Sequence, residues 1–294
     1  MHRCKNIRFF GYTVQNSANW AHAIFECENI TAENVSVKGG HDGIHIRSCT
    51  NVTIRDCQFY TGDDCIAGFD NLNVIIQSCI FNTACSGMRF GGTNVIAEQC
   101  KFIGPAKYIF RGSLTDKEKR CGMTSQADES HRYNMLSAFT YISDFTRPVR
   151  DLPENIIIKD CEIKNTDRFL HYNFSGNEPW QCNQPLKNIT FENIRATGIR
   201  MPLTLYGSPE LPVTLEMRNT EIEFAKEIGD VSFIHAAWFE KIIFNHVRVS
   251  GLTDRRIVRT WSDGGEIVCN DFEWDIDNAV IREKATEPFY SKAI

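Results

Sequence analysis

The sequence lacks the features that mark several common classes of protein. It has no apolar run of about eighteen residues or more, so no segment is predicted to span a membrane. Its opening stretch, MHRCKNIRFF, contains no apolar segment followed by small residues, and we expect no signal peptide. The net charge of −5 is not gathered into long blocks, which argues against nucleic acid as a partner.

Motifs for cofactor binding and for nucleophilic catalysis are also missing. The sequence has no glycine-rich phosphate loop and no zinc-ligand spacing, so we expect neither a cofactor nor a metal ion. It also has no Ser-His-Asp order of the kind found in catalytic triads. The cellular compartment depends on the natural start of the chain. We expect a cytoplasmic protein if the chain is complete, and a secreted or periplasmic one if an amino-terminal part precedes it.

What the sequence does contain is an internal repeat. A segment that opens with asparagine returns as NIRFFGY, NITAENV, NVTIRDC, NVIIQSC and NVIAEQC, at intervals of about 22 residues. It returns again as NIIIKDC from Asn155 and NITFENI from Asn188. Apolar residues alternate within each segment, as Val52 and Ile54 do, and this alternation is the period of a β-strand. Two further short strands follow each segment.

Coils of this length predict an all-β fold, a right-handed parallel β-helix. A crossover helix needs a dozen or more residues, and a period of about 22 residues leaves no room for one. The coils would stack about 4.8 Å apart. The repeated asparagine is expected to form a ladder at a turn, because Asn tolerates left-handed backbone and can hydrogen-bond locally.

Seven of the twelve cysteines follow the same period. One repeat position holds Cys57, Cys79, Cys100 and Cys161, and another holds Cys4, Cys27 and Cys49. Stacked positions of this kind form ladders of small apolar side chains, whereas a disulfide framework would not follow the coil period. We therefore expect mostly reduced thiols.

We expect one β-helix domain over residues 1–294, without a linker. Two excess stretches interrupt the period, at about residues 112–154 and 169–185, and we expect them to be insertions on the side of the binding cleft. The repeat is already in phase at Cys4, and an open solenoid end exposes core and strand edges. We therefore expect either a longer natural chain or a homo-oligomer that covers this end.

Three carboxylates are predicted to gather on the coils. The stretch TGDDCIAGF places Asp63 beside Asp64, and counting from the second strand of each coil places Asp42 next to Asp64 on the preceding coil. The same count assigns Ser86 and Lys107 to the two coils that follow. Crowding of like charges raises at least one pKa, which keeps a proton available near neutrality. A protonated carboxyl beside an ionised one is the machinery of glycoside hydrolysis.

The runs NSANWAHAIFECENITAENV, HDGIHIRSCTNV and TGDDCIAGF resemble glycoside hydrolase family 28, the polygalacturonases and rhamnogalacturonases. The resemblance is good from about Asn16 to Asp70. It implies a β-helix that hydrolyses a pectin-like or related plant or microbial glycan with inversion. It also implies Asp63 as the general acid, with Asp42 and Asp64 holding the attacking water. The family motifs G-H-G and R-I-K are replaced by CSGMRFGG and KYIFRG, so their substrate-binding residues do not carry over.

Substrate contacts are therefore predicted from position. Arg89 is expected one coil beyond Asp64, and cations beside an acid cluster favour an acidic sugar, because Arg pairs with a carboxylate bidentately. Further candidates are His41, Lys107, Arg111, Arg168, His171, Tyr172 and Trp180. The aromatic residues among them could stack on a sugar ring. Arg168 reaches the position of Asp64 only if the long insertion loops out. The insertion itself adds Arg132, Arg147 and Arg150.

Two other functions fit the same pattern of residues. A polysaccharide lyase on this fold would use the carboxylates as a Ca²⁺ site, and its unsaturated product would absorb ultraviolet light. A non-catalytic glycan-binding β-helix would bind a glycan without turning it over. The sequence leaves the sugar, its linkage and the choice between exo and endo attack open.

Overall fold

The computed structural model describes residues 1–121, 134–141, 149–174, 185–226 and 231–285. Nearly all of its regular structure is strand, and the strands pair in parallel from coil to coil. The predicted right-handed parallel β-helix is confirmed. Within these ranges no helix is both long and apolar enough to cross a membrane.

The strands of successive coils stack into three sheets, numbered here in chain order. The first sheet holds β1 (Lys5–Phe10), β4 (Glu28–Glu33), β7 (Thr50–Arg55), β14 (Ile156–Lys159) and β17 (Asn188–Glu192). The second sheet holds β2 (Thr13–Gln15), β5 (Ser36–Gly39), β8 (Gln58–Thr61), β10 (Ile80–Thr83), β12 (Lys101–Ile103), β15 (Glu162–Lys164) and β18 (Arg195–Ile199). The third sheet holds β3 (His22–Phe25), β6 (Ile44–Arg47), β13 (Met135–Tyr141), β16 (Thr166–Asn173), β19 (Leu203–Tyr206), β21 (Ile234–Ala237), β23 (Arg256–Thr260) and β25 (Val280–Lys284).

Longer strands continue from one sheet into the next. Two of them, β9 (Ile66–Gln77) and β11 (Ser86–Glu98), run from the third sheet into the first. Three others run from the first sheet into the second: β20 (Val213–Phe224), β22 (Phe239–Ser250) and β24 (Glu266–Trp274). The helical residues described are a 3-10 turn, Arg111–Ser113, and a short α-helix, α1 (Asp116–Arg120).

The predicted asparagine ladder is present at the start of the first-sheet strands. Its members are Asn6, Asn29, Asn51, Asn73, Asn94 and Asn155. All of them lie in the left-handed region with φ of 56–58°. From Asn29 onward, each side-chain amide donates to the side-chain oxygen of the asparagine one coil before, over 3.0–3.2 Å. Asparagine suits this turn because it accepts left-handed backbone and supplies one donor and one acceptor to the ladder.

Interior side chains repeat with the coils. Phe59, Phe81 and Phe102 stack in the core with ring centroids 5.6 and 4.7 Å apart. The cysteines of the described residues are free thiols, and those of the Cys57 position are buried. Each of those sulfurs lies 3.1–3.2 Å from the carbonyl oxygen two residues before it. At the other repeat position, burial raises the pKa of the Cys49 thiol to about 11, so this side chain is a neutral donor to the carbonyl oxygens of Ile24 and Arg47.

The two excess stretches contain part of the coil itself. Strand β13 lies within residues 112–154 and pairs with β11 and β16. Residues 169–173 belong to β16, which pairs onward with β19. The boundaries of the insertions therefore differ from those expected, because each stretch supplies the third-sheet strand of its own coil.

At the amino-terminal end of the solenoid, β1 pairs with β4 on one side. Among the residues that the structure describes, no strand pairs with the other side of β1. The covering of this edge by a second chain or by a preceding segment stays a prediction.

We predict that Asn51→Ala lowers the free energy of unfolding by about 2–3 kcal/mol and that Asn51→Gly lowers it by about 1 kcal/mol. Alanine loses the ladder hydrogen bonds and is strained at a φ of 57°. Glycine loses the hydrogen bonds but adopts this φ freely. Urea unfolding of the two variants and the parent measures the difference, and equal losses would contradict the strain argument.

Candidate active site

The three aspartates lie where the chain turns from the second sheet into the third. Asp42 follows β5, and Asp63 and Asp64 follow β8. The backbone N–H of Gly43 donates to the carbonyl oxygen of Asp64 over 3.0 Å, so Asp42 and Asp64 occupy neighbouring coils as predicted. Asp42 and Asp64 are buried, and Asp63 is half-buried.

Two threonine hydroxyls hold the backbone of Asp63. Thr61 donates to the carbonyl oxygen of Asp63 over 2.6 Å, and Thr83 of the next coil donates to the same oxygen over 2.5 Å. The backbone N–H of Asp64 donates to Oδ1 of Asp63 over 3.0 Å. These contacts fix the direction of the Asp63 carboxyl before any ligand is present.

Two glycines allow the coils to approach closely at this turn. A Cβ at Gly43 would lie 2.4 Å from the carbonyl oxygen of Cys65, and one at Gly62 would lie 2.0 Å from that of Ile109. Both distances are too short for any side chain. The HDG and TGDD sequences therefore need glycine for steric reasons.

The segment that follows β12 folds back over these turns. The amide of Asn82 donates to the carbonyl oxygens of Ile103 and Pro105, and its oxygen accepts from the backbone N–H of Lys107 over 2.7 Å. Ile109 is buried against Gly62. One edge of the site is therefore built from residues that leave the coil path.

Lys107 and Arg111 lie on this returning segment. The assignment of Lys107 to the column of Asp42, Asp64 and Ser86 is wrong, because β13 supplies that coil and places Ser137 there instead. Lys107 is exposed, and its Nζ lies 4.1 Å from the centre of the Tyr60 ring.

Arg111 is also exposed, and its Cβ lies near the turn that precedes His41. Burial, with a smaller contribution from the charge of Arg111, lowers the pKa of the half-buried His41. Nε2 of His41 is buried and has no hydrogen-bond partner within the described ranges. His41 is therefore predicted to be neutral at pH 7.

Asp64 is held as a hydrogen-bond acceptor at both oxygens. The backbone N–H of Ser86 donates to Oδ1 over 3.0 Å, and Nε of Arg89 donates to Oδ2. The Arg89 guanidinium is half-buried and lies 5.6 Å from the centre of the Phe69 ring. Both oxygens therefore have a donor, and the one from Arg89 is charged, which strengthens that hydrogen bond.

Asp63 has the opposite environment. Burial raises its pKa to about 7, and the charges of Asp64 and Asp42 add to the effect, against a smaller opposing contribution from Arg89. Ligand atoms of Asp63, Asp64 and Cys85 lie within 4.8 Å of one another, and this is the group among the described residues that could hold a metal ion. The Arg89 guanidinium already neutralises Asp64 at that point, which disfavours a cation there.

Asp42 is bound by a histidine on its own coil. Oδ2 of Asp42 lies 3.0 Å from Nδ1 of His45, and Nε of Arg47 donates to Nε2 of His45 over 2.8 Å. The Trp20 ring covers His45, with ring centroids 4.3 Å apart. The three aspartates therefore have three different sets of partners.

The structure separates the remaining predicted contacts. Arg168 pairs in register with Ser137, so it occupies the column of Asp64 about three coils further on, roughly 14 Å away, and it is buried. His171 lies two coils beyond Arg89 in its column and is also buried. Burial, with a smaller contribution from the charge of Arg168, lowers the pKa of His171 to about 3, so this imidazole is neutral.

Two aromatic candidates do not form a described sugar-binding wall. Tyr172 is 0% exposed, and its hydroxyl oxygen accepts from the backbone N–H of Leu186 over 2.9 Å. The prediction that Tyr172 stacks on a sugar is wrong, because the alternation of β16 turns this side chain into the core. Trp180 lies outside the described residues.

Arg150 binds other residues of the protein and is not available to bind a substrate in the cleft. Its backbone N–H and its Nε donate to the carboxylate of Asp70 over 2.7 and 3.1 Å. Its guanidinium also reaches the carbonyl oxygen of Cys49 over 3.3 Å. Arg150 therefore ties the end of the first insertion to the coils. Arg132 and Arg147 lie outside the described residues.

Comparison with known proteins agrees with the resemblance seen in the sequence. Residues 1–93 match the profile of glycosyl hydrolases family 28. The resemblance to family 28 is confirmed. This family 28-like stretch contains all three aspartates and Arg89. No curated protein matches the sequence significantly.

Two solved structures share the family 28-like fold. An exopolygalacturonase from Thermotoga maritima superposes with a TM-score of 0.57 and 18% identity, over 83% of this chain and 53% of its own. A family 28 exopolygalacturonase from Yersinia enterocolitica gives a TM-score of 0.51 and 13% identity, over 90% of this chain and 46% of its own. The chain thus spans about half the length of both enzymes, and the likeness concerns the fold.

Sequence reasoning did not identify Trp20 and Arg47 as parts of this site. A signal was available in the third-sheet segments HAIF, GIHIR, IAGF and GMRF, which align Ala23, His45, Ala67 and Arg89 in one column. Aligning them would have placed Arg47 two residues beyond His45 on the same face of β6. The position of Trp20, in an irregular turn before β3, had no periodic signal.

We predict that Asp63 makes stability depend on pH in a definite direction. Its pKa is raised in the folded protein to about 7, so the folded state keeps a proton that the unfolded chain releases from about pH 4 upward. Stability from this group is therefore present at pH 4 and lost as the pH rises to 7.

Asp63→Asn lacks this loss, so its stability relative to the parent should increase between pH 4 and pH 7. Urea unfolding at several pH values measures it. Asp56→Asn, an exposed substitution at another turn with φ of 54°, is the matched control and should track the parent. A constant difference for Asp63→Asn would contradict the raised pKa.

Proposed function

We propose that this protein is a glycoside hydrolase that cleaves an acidic, pectin-like glycan with inversion. The observation that carries the proposal is the contrast between two adjacent carboxyls. Asp63 has its pKa raised to about 7, whereas the two oxygens of Asp64 accept hydrogen bonds from the Ser86 N–H and the Arg89 guanidinium. A carboxyl that keeps its proton near neutrality is suited to act as a general acid, and a neighbouring carboxyl held as an acceptor is suited to orient water.

In this mechanism Asp63 donates its proton to the oxygen of the leaving sugar. Asp64 and Asp42, each accepting hydrogen bonds, orient the water that attacks the anomeric carbon. The nearest oxygens of Asp63 and Asp64 lie within 4.8 Å, closer than the roughly 6.5–9.5 Å usual for inverting pairs. Inversion is therefore proposed from the family resemblance, and NMR of the first-formed product anomer tests it.

An acidic substrate is supported by two exposed cations at the edge of the site. Within the described ranges neither Lys107 nor Arg111 forms an ion pair with a carboxylate, although both lie on the segment that packs over the aspartate turns. Arg89, in contrast, binds Asp64. A sugar carboxylate near the first two cations would gain charge-assisted hydrogen bonds.

A polysaccharide lyase would use the same carboxylates in a different way. A lyase would need a cation at the carboxylates to neutralise the uronate. The Arg89 guanidinium lies at Asp64, so a Ca²⁺ ion there would have to displace it or share its charge. Loss of activity with EDTA, together with a product that absorbs ultraviolet light, would replace the hydrolase proposal by the lyase.

We predict that Asp63→Asn lowers turnover of natural oligosaccharides by about two orders of magnitude or more, because the leaving oxygen loses its proton donor. Turnover of an aryl glycoside with an acidic leaving group should fall far less, since that group departs without protonation. In the parent, kcat should fall as the pH rises through about 7 and Asp63 ionises.

Asp56→Asn serves as the control for this substitution and should keep parental rates, since Asp56 is exposed and away from the cluster. Initial rates on both substrate types across pH 4 to 9 measure the effects. Equal losses on natural and aryl substrates would remove Asp63 from the role of general acid.

We predict that the double substitution Lys107→Gln and Arg111→Gln raises KM for acidic oligosaccharides by about tenfold or more, with little effect on neutral ones. Added salt should mimic it for the acidic substrates. The matched control replaces Lys117 and Lys119, two exposed cations of α1, by Gln and changes the net charge equally. The same KM change in the control, or a preference for neutral sugars, would reject the acidic substrate and leave the hydrolase standing.

A further inference from the structure

One partner of Asp42 is His45, and two hydrogen bonds of this histidine indicate its tautomer. Arg47 can only donate hydrogen bonds, so the Nε2 atom of His45 that it contacts must be an acceptor. The imidazole proton therefore resides on Nδ1, and Nδ1–H donates to Oδ2 of Asp42. A protonated imidazolium would place two donors against each other at Nε2 and is disfavoured.

The surroundings of His45 hold the ring in this orientation. His45 is 1% exposed, and the residues that pair with it on the neighbouring coils are Ala23 and Ala67, whose small side chains leave room for the ring. Trp20 covers the ring with centroids 4.3 Å apart. The Arg47 guanidinium lies 5.8 Å from the Trp20 ring centre, so one aromatic side chain contacts both members of the pair.

We propose that His45, with its tautomer set by Arg47, is a positioning residue that holds Asp42 as an aimed acceptor for the attacking water. The inference rests on the proposed hydrolase function. It differs from a purely structural role in one respect: the Nδ1–H donor, and not the volume of the ring, is what matters. A displacement of a reacting group by about 1 Å can cost about a hundredfold in rate.

Three substitutions of His45 distinguish the effect of its Nδ1–H donor from the effect of the ring volume. His45→Asn carries an amide N–H where Nδ1 was, whereas His45→Gln carries the same amide about one bond further along, and His45→Leu has no donor. We expect His45→Asn to keep turnover within a few-fold of the parent. We expect His45→Gln and His45→Leu to lower kcat by about 10- to 100-fold, with KM within about twofold of the parental value. Circular dichroism and thermal unfolding identify any variant that fails to fold.

A second measurement determines the tautomer of His45 and does not depend on an enzymatic assay. Long-range ¹H–¹⁵N NMR of the histidine-labelled protein should give a neutral Nδ1–H pattern for His45, assigned by its loss in the Asn variant. Arg47→Met should release Nε2 and mix the tautomers, with kcat falling and KM little changed. Arg55→Met is the matched control, because Arg55 is exposed and lies one strand further along the chain.

The outcomes distinguish this inference from the proposed function. An Nε2–H tautomer in the parent, equal kcat losses for Asn, Gln and Leu, or losses confined to KM would overturn the role of His45 while leaving the hydrolase intact. No turnover of any glycan by the parent would overturn the hydrolase and with it the catalytic consequence of the pair. The inference is supported if only His45→Asn keeps a near-parental kcat and the parent shows an Nδ1–H signal for His45.

Discussion

The hydrogen-bonded register between coils is the constraint on which the rest of this molecule depends. Parallel stacking brings equivalent residues of successive coils about 4.8 Å apart. Residues about 22 positions apart in the sequence are therefore in contact. The asparagine ladder holds the register on one side of the solenoid. On another side, Gly43 and Gly62 allow backbones to meet where a side chain would prevent it. A shift by one residue would separate Asp42 from Asp64 and turn core side chains outward.

The same register brings three carboxylates close together, and the surrounding residues give each of them different hydrogen-bond partners. Three carboxylates in a partly dry environment repel one another. Asp64 receives a guanidinium and a backbone N–H, and Asp42 receives an imidazole N–H. The Asp63 carboxyl accepts a hydrogen bond from the N–H of the next residue, and burial raises its pKa to about 7. The three carboxyls thus differ in their hydrogen-bond partners although they lie on neighbouring turns.

Much of the fold and the centre of the site could be predicted from the sequence. The period of about 22 residues, the asparagine positions and the stacking of Asp42 on Asp64 are local regularities, and the structure agrees with them. The prediction failed where the chain leaves the period. Counting residues along the chain assigns Lys107 to a position that Ser137 fills, because the strand that continues the sheet lies inside the predicted insertion. Tyr172 falls within the second predicted insertion, although it belongs to a strand whose alternation buries it.

The sequence by itself determined the solenoid and the carboxylate cluster, because both follow from a repeat that recurs within a few dozen residues. Only the tertiary structure decided which other groups reach that cluster. The returning segment brings Lys107 and Arg111 to its edge, while the contact with Asp70 takes Arg150 away from it. The chain from Arg47 through His45 to Asp42 likewise depends on side-chain rotamers and on the ring of Trp20. Such contacts join residues through irregular turns, for which the coil period carries no information.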